Sequence, residues 1–103
     1  MVYPNYYMYP AIFQPDGDMW TVTFPDIDNA FTSADTLEDA IIDAQAVLED
    51  CIYFREIQHD EIPRPSGLND IAKPSGGFVQ MVVAVMKPAR TEWENNEVVE
   101  ALA

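Results

Sequence analysis

Apolar and polar residues alternate twice near the start of the chain. Within Tyr6 to Gln14, residues Tyr7, Tyr9, Ala11 and Phe13 share one side of a period-two pattern, which predicts a first strand. Pro10 lies inside it and has no amide proton, so its nitrogen must point away from a partner strand or sit at a bulge. Met19 to Phe24 repeats the pattern. Trp20, Val22 and Phe24 point one way while Thr21 and Thr23 point the other, which predicts one buried face and one face left to solvent or a partner. Phe31 to Ala34 predicts a short third strand. The segments Pro15-Asp16-Gly17-Asp18 and Pro25-Asp26-Ile27-Asp28-Asn29 supply the intervening turns, proline presetting φ and glycine permitting φ > 0.

The period then changes from two to 3.6. Leu37, Ala40, Ile41, Ala44, Leu48 and Cys51 recur as one helical stripe, with Glu38, Asp39, Asp43, Glu49 and Asp50 largely off it. Asp35 and Thr36 are both candidate N-caps, and the acidic first turn suits the helix dipole. The helix is expected to end near Gln58. A long loop from Ile62 to Gly77 follows, punctuated by Pro63, Pro65, Gly67, Pro74 and Gly76-Gly77. Phe78 to Met86 is apolar on both faces apart from Gln80, as a strand covered on both sides would be. Pro88 suits the first position of a short closing helix that carries Trp93 towards Leu102. The predicted order is β-β-β-α-β-α, an α+β fold with one main helix packed on a mixed four-stranded sheet. The strand order is third, second, first, fourth, with the last strand parallel to the first through a right-handed crossover.

Charge alters this picture more than size does. The 103 residues suffice for a single domain with its own core, and 49% are hydrophobic. Eighteen acidic residues face five basic ones, a formal net charge of -13. Such a field repels phosphate backbones and anionic membranes and attracts basic partners. The only cysteine, Cys51, sits among Glu49, Asp50 and Glu56, which would not lower a thiol pKa, so it reads as a structural residue. Without an intramolecular disulfide, a signal peptide or an apolar run long enough to span a membrane, the chain is expected to be cytoplasmic.

The residues offer little catalytic chemistry. Asp16, Asp18, Asp26 and Asp28 do not fit an EF-hand series and read as turn formers. His59 has no Cys or His companion at ligand spacing, and Ser33, Ser66 and Ser75 lack a nucleophile's context. Gly76-Gly77 precedes a strand and no P-loop lysine follows. No cofactor, metal or catalytic residue is expected. Tyr3, Tyr6, Tyr7, Tyr9 and Trp20 could stack bases, but a stacking platform needs a basic groove, so core packing and a protein interface explain them better.

Five motif pieces in order carry a resemblance: Tyr9-Pro10-Ala11, Pro15-Asp16, Trp20-Thr21-Val22-Thr23-Phe24-Pro25-Asp26, Asp35-Thr36-Leu37-Glu38-Asp39-Ala40 and Ile62-Pro63-Arg64-Pro65-Ser66. Together they resemble the HicB family of antitoxin domains over residues 9–66. The resemblance implies a partial RNase H-like fold and a small basic RNA-cleaving toxin, HicA-like, as partner. Where that family often has Pro-Gly after the second strand, this chain has Asp28-Asn29, and asparagine also tolerates the left-handed backbone. Residues 1–103 are read as one HicB-like domain without a separate C-terminal DNA-binding segment.

The function expected from these readings is antitoxin-like binding, with a homodimer or tetramer as the assembled state. The alternative is a solitary HicB-like domain that self-associates or binds nucleic acid and has no toxin partner. Nuclease activity is not expected, because Tyr6 to Gln14 and Phe78 to Met86 contain no Asp or Glu to hold paired metals. Nor is direct binding to duplex DNA or a membrane. The candidate partner-binding residues are Asp16, Asp18, Thr21, Thr23, Asp26, Asp28, Glu38 and Asp39. The acidic helix face is either a solvated surface or part of that interface.

Overall fold

The computed structural model describes residues 3–91. Strand β1 (Tyr6–Asp16) is the spine of a four-stranded sheet, flanked by β2 (Met19–Thr23) and β4 (Phe78–Val85), with β3 (Phe31–Ala34) beyond β2. The order β3-β2-β1-β4 is the one predicted. Gly17 at φ 60 closes the β1–β2 hairpin, and Asn29 at φ 66 takes the left-handed position in the next turn. Residues 86–91 begin a closing helix; Trp93 and Leu102, expected in it, lie outside the described residues.

One direction differs from the sequence expectation. β4 runs antiparallel to β1, with Phe78 opposite Phe13 and Val85 opposite Tyr6, so the sheet is wholly antiparallel and not mixed. The cause is the connection. Helix α1 (Leu37–Ile57), about 30 Å long at 1.5 Å per residue, runs the length of the sheet away from the β1–β2 hairpin. The segment 58–77 then climbs back before β4 starts. Two traverses, helix and loop, reverse the chain once more than a simple crossover would. Gly77 lets β4 begin there, since a Cβ at this position would run into the Phe13 carbonyl oxygen.

Pro10 is accommodated by the same geometry. The Met86 amide donates to the Asn5 carbonyl at 2.8 Å, so odd-numbered residues of β1 bond to β4 and Pro10 faces the β2 side. Pairing with β2 reaches only Ile12, opposite Thr23, and no ladder bond is lost at Pro10.

The core lies between the sheet and α1. Tyr9, Ala11, Phe13, Val22 and Phe24 meet Ala40, Ala44, Leu48 and Ile52. Thr36 is the N-cap, its hydroxyl accepting the Asp39 amide at 3.1 Å, and Gln58 is the C-cap. The buried stripe is shifted from the predicted one. Ile52, Tyr53 and Glu56 are inside, whereas Ile41 is 43% exposed and Cys51 only half-buried.

Glu56, 4% exposed, is tied on every side. Arg90 donates to both of its carboxylate oxygens at 2.8 Å, and the Tyr7 hydroxyl donates to Oε2 at 2.9 Å. Arg90 also donates to the Pro4 carbonyl at 2.7 Å. This network joins the last turn of α1 to the start of β1 and to the closing helix. Burial, and then the Glu56 carboxylate, push the Tyr7 hydroxyl pKa well above its ordinary value.

Candidate protein-binding surface

Helix α1 covers one face of the sheet and leaves the other without a packed element among the described residues. Strand register fixes what lies on the open face. Val79, Ile12, Thr23 and Phe31 form one row across all four strands, and Gln14, Thr21 and Ser33 form the next. Phe31 is 65% exposed and Tyr6 64%. Thr21, Thr23, Phe31 and Ser33 line a shallow cleft of about 560 Å³. The Thr21 hydroxyl is turned to the Gln14 carbonyl at 3.3 Å. Exposed aromatics beside small hydroxyl residues suit a protein interface, where an apolar centre is fringed by hydrogen-bonding groups.

The charge distribution around this face is uneven. Of all residues in the four strands only Asp16, the last of β1, is charged. The carboxylates collect at the ends. Asp16 and Asp18 flank Gly17 in the hairpin, both exposed. Ala34 pairs with Trp20, so the chain leaves β3 beside that hairpin and enters α1, whose first turn exposes Glu38 and Asp39. Four of the predicted site residues, Asp16, Asp18, Glu38 and Asp39, are thus placed at one end of the sheet. Thr21 and Thr23 point out between the two ends.

Asp26 and Asp28 lie at the other end and have different surroundings. Asp26 is engaged inside the fold: it accepts the Ser66 amide at 2.8 Å and the Ser66 hydroxyl at 2.6 Å. The Tyr9 hydroxyl donates to the Pro63 carbonyl in the same loop. Burial, and then the nearby Asp26 carboxylate, raise the Tyr9 pKa. Asp28 is exposed and lines a cleft of about 580 Å³ with Asp50, Phe54, Arg55 and Asp60. Arg55 donates there to the Asp28 and Cys51 carbonyls at 3.4 and 3.3 Å. Burial raises the Cys51 thiol pKa, which disfavours the thiolate.

Sequence periodicity did not single out the exposed apolar residues Tyr6, Met8, Phe31 and Val83. The available signal was alternation itself: in β1 and β4 the residues between the core positions are also apolar, and among the described residues no second layer covers them. Among the described residues no group of three or more His, Cys, Asp or Glu could hold a metal ion, and no helix is long and apolar enough to cross a membrane.

Comparison with known proteins gives three kinds of likeness. A family model described as HicB_like antitoxin of bacterial toxin-antitoxin system matches residues 8–73. The chain is similar to Antitoxin HicB 2 of Photorhabdus laumondii subsp. laumondii, 43% identical over 58 residues. That match covers 56% of this chain and 42% of the relative, so it spans less than half of the relative's length. Among solved structures, the fold is similar to a chain of a HicA3 and HicB3 toxin-antitoxin complex, with TM-score 0.61 and 23% identity over 74% of this chain and 95% of that one. It is also similar to a chain of a toxin-antitoxin complex from Streptococcus pneumoniae, with TM-score 0.67 and 21% identity over 77% and 69%. The N-terminal domain of Burkholderia pseudomallei antitoxin HicB gives TM-score 0.63 and 22% identity over 74% and 95%. At these identities the structural likeness is one of fold.

Proposed function

Because the chain belongs to the HicB-like antitoxin family, we propose that it binds and neutralises a small basic RNA-cleaving toxin of the HicA type. It does so in the cytoplasm and by occlusion, without catalysing a reaction. The observation that carries this reading is the contrast on the open side of the sheet: a charge-free face with Phe31 and the two threonines, and exposed carboxylates at its hairpin end. A basic partner is steered by Asp16, Asp18, Glu38 and Asp39 and is then held by apolar contact with the face. Asp28 contributes from the far end. Asp26 contributes indirectly, by holding the loop at Ser66. The chain makes no contact of its own with duplex DNA, since a net charge of -13 opposes the phosphate term.

The test is co-expression with a small basic protein, if one is encoded beside this gene. Growth arrest caused by that protein alone, relieved by the wild-type chain and not by Phe31→Asp, supports the reading. Purified components give the second arm: the association rate falls steeply as salt rises. A cognate partner that is acidic, or an association rate indifferent to salt, overturns it.

A further inference from the structure

The two edges of the sheet differ. At β4 the 3-10 turn Leu68–Asp70 contacts the strand, and Glu49 of α1 accepts the outward Val85 amide at 2.8 Å. At β3 the outward groups remain unused. The Phe24 amide donates to the Ala30 carbonyl at 3.0 Å, continuing the register that sets Thr23 opposite Phe31. Bonds alternate along an antiparallel ladder, so Thr32 and Ala34 bond to β2 while the main-chain groups of Phe31 and Ser33 point away from the sheet. Both residues are exposed, and no hydrogen bond among the described residues takes those groups. The contacts of α1 show which of its flanks lies over this edge. Ile41 and Gln45 lie beside Met81 and Val83 of β4, whereas the Cys51 thiol reaches the Asn29 carbonyl at 4.0 Å, just before β3. Asp43, Val47, Asp50 and Phe54 share the Cys51 flank at helical spacing. Val47 is half-buried and the other three are exposed. The flank leads into the cleft of about 580 Å³ lined by Asp28 and Asp60, where the Arg55 guanidinium is turned to main-chain carbonyls.

We propose that the β3 edge takes an extended segment of a basic protein as a fifth strand of the sheet. This rests on the basic-partner reading above and adds how such a partner is gripped. Two outward residues offer few main-chain bonds, so pairing fixes the register and side chains supply the selectivity. The side chains of an added strand alternate between the two faces. On the open face they fall beside Phe31 and Ser33, at the cleft whose lining carries no charge. On the other face they fall below the α1 flank that presents Asp43 and Asp50. The segment that fits therefore alternates small or apolar residues with lysine or arginine. Asp28 and Asp35, exposed before and after β3, favour cations at its ends as well. The same charges select against a second copy of this chain, which would bring its own Asp28 and Asp35 to the pairing.

Two synthetic peptides of one composition test this on the full chain. One alternates lysine with threonine, and the other gathers its lysines at one end. Binding is read at physiological salt by the anisotropy of a labelled peptide and by amide exchange of the protein. The alternating peptide is expected to protect the Phe31 and Ser33 amides and to bind about tenfold more tightly than the block peptide. Ser33→Pro removes an outward amide that no intrachain bond uses and should weaken the alternating peptide about tenfold. Asp43→Lys reverses an exposed charge on the helix flank and should weaken it about threefold. Both variants should retain the far-ultraviolet circular dichroism of the fold. Phe31 and Ser33 amides left unprotected at millimolar peptide overturn the proposal. So does an affinity that Ser33→Pro or Asp43→Lys leaves unchanged. The probe is a peptide and not a toxin, so a chain that relieves growth arrest yet leaves this edge unprotected keeps the toxin reading and loses this one.

Discussion

The two ends of helix α1 carry the same kind of side chain in opposite circumstances. At the first turn Glu38 and Asp39 stand in solvent, complementing the helix dipole and adding to the acidic end of the sheet. In the last turn Glu56 is buried, bonded to Arg90 and Tyr7, and ties three segments of chain together. A carboxylate in water is free to steer a partner. A carboxylate out of water must be paired, and once paired it holds structure. Burial, not residue type, separates the two roles.

The sharpest challenge to that contrast is Glu56→Ala. It removes the buried carboxylate that Arg90 and Tyr7 both bond, and removing one partner of a buried pair costs about 3–5 kcal/mol. Urea denaturation should show a loss in that range; a loss under about 1 kcal/mol would mean that the buried end holds no more than an exposed one. Asp26 is the intermediate case. Asp26→Ala strips both bonds from Ser66 and should destabilise by about 1–3 kcal/mol, measured the same way. It should also loosen the loop from Ile62 to Ser66, visible as faster amide exchange at Ser66.

At the exposed end the effects shrink. Thr36→Ala removes the cap on the Asp39 amide and should cost about 1 kcal/mol. Glu38→Lys should change stability by less than about 1 kcal/mol, since it alters only a dipole interaction in solvent. Its expected effect is a slower association with the proposed basic partner, read by stopped-flow mixing at low salt. If Glu38→Lys unfolds the chain, the division of roles between the two ends fails.

A further effect is one of pH. The folded state holds the Tyr7 proton above its ordinary pKa of 10.0. As pH rises past about 10 the unfolded chain releases this proton first and binds fewer protons than the folded one, so stability present below pH 10 declines above it. Tyr7→Phe should flatten that decline in a series of denaturation curves between pH 9 and 11.

Much of the fold was legible because its signals are local. The alternation in Tyr6 to Gln14 and Met19 to Phe24, Gly17 and Asn29 in their turns, and the candidate caps Asp35 and Thr36 before an acidic first turn each act within a few residues; the structure chose Thr36. The candidate site was legible in part. Thr21 and Thr23 do point outward, because parity along a strand is fixed once one face is buried. Asp26 could not be told from Asp28, two residues away in the same turn, because Ser66 is far along the sequence. The pieces Tyr9, Asp26 and Pro63 to Ser66, which carried the family resemblance, meet in one internal hydrogen-bonded cluster. These parts of the motif record how the loop is pinned to the sheet.

The sequence alone therefore determined the elements of the described residues, their order across the sheet, the start of the helix to within one residue, the acidic field and the family. Each follows from periodicity, turn chemistry or charge, properties that a linear chain already possesses. Only the tertiary structure decided that β4 runs against β1, that Glu56 is a buried partner of Arg90, and that Glu49 caps one end of the β4 edge. The direction of a strand depends on how many times the preceding chain crosses the sheet. The state of a carboxylate depends on what excludes water from it, and both are set by residues far away in sequence.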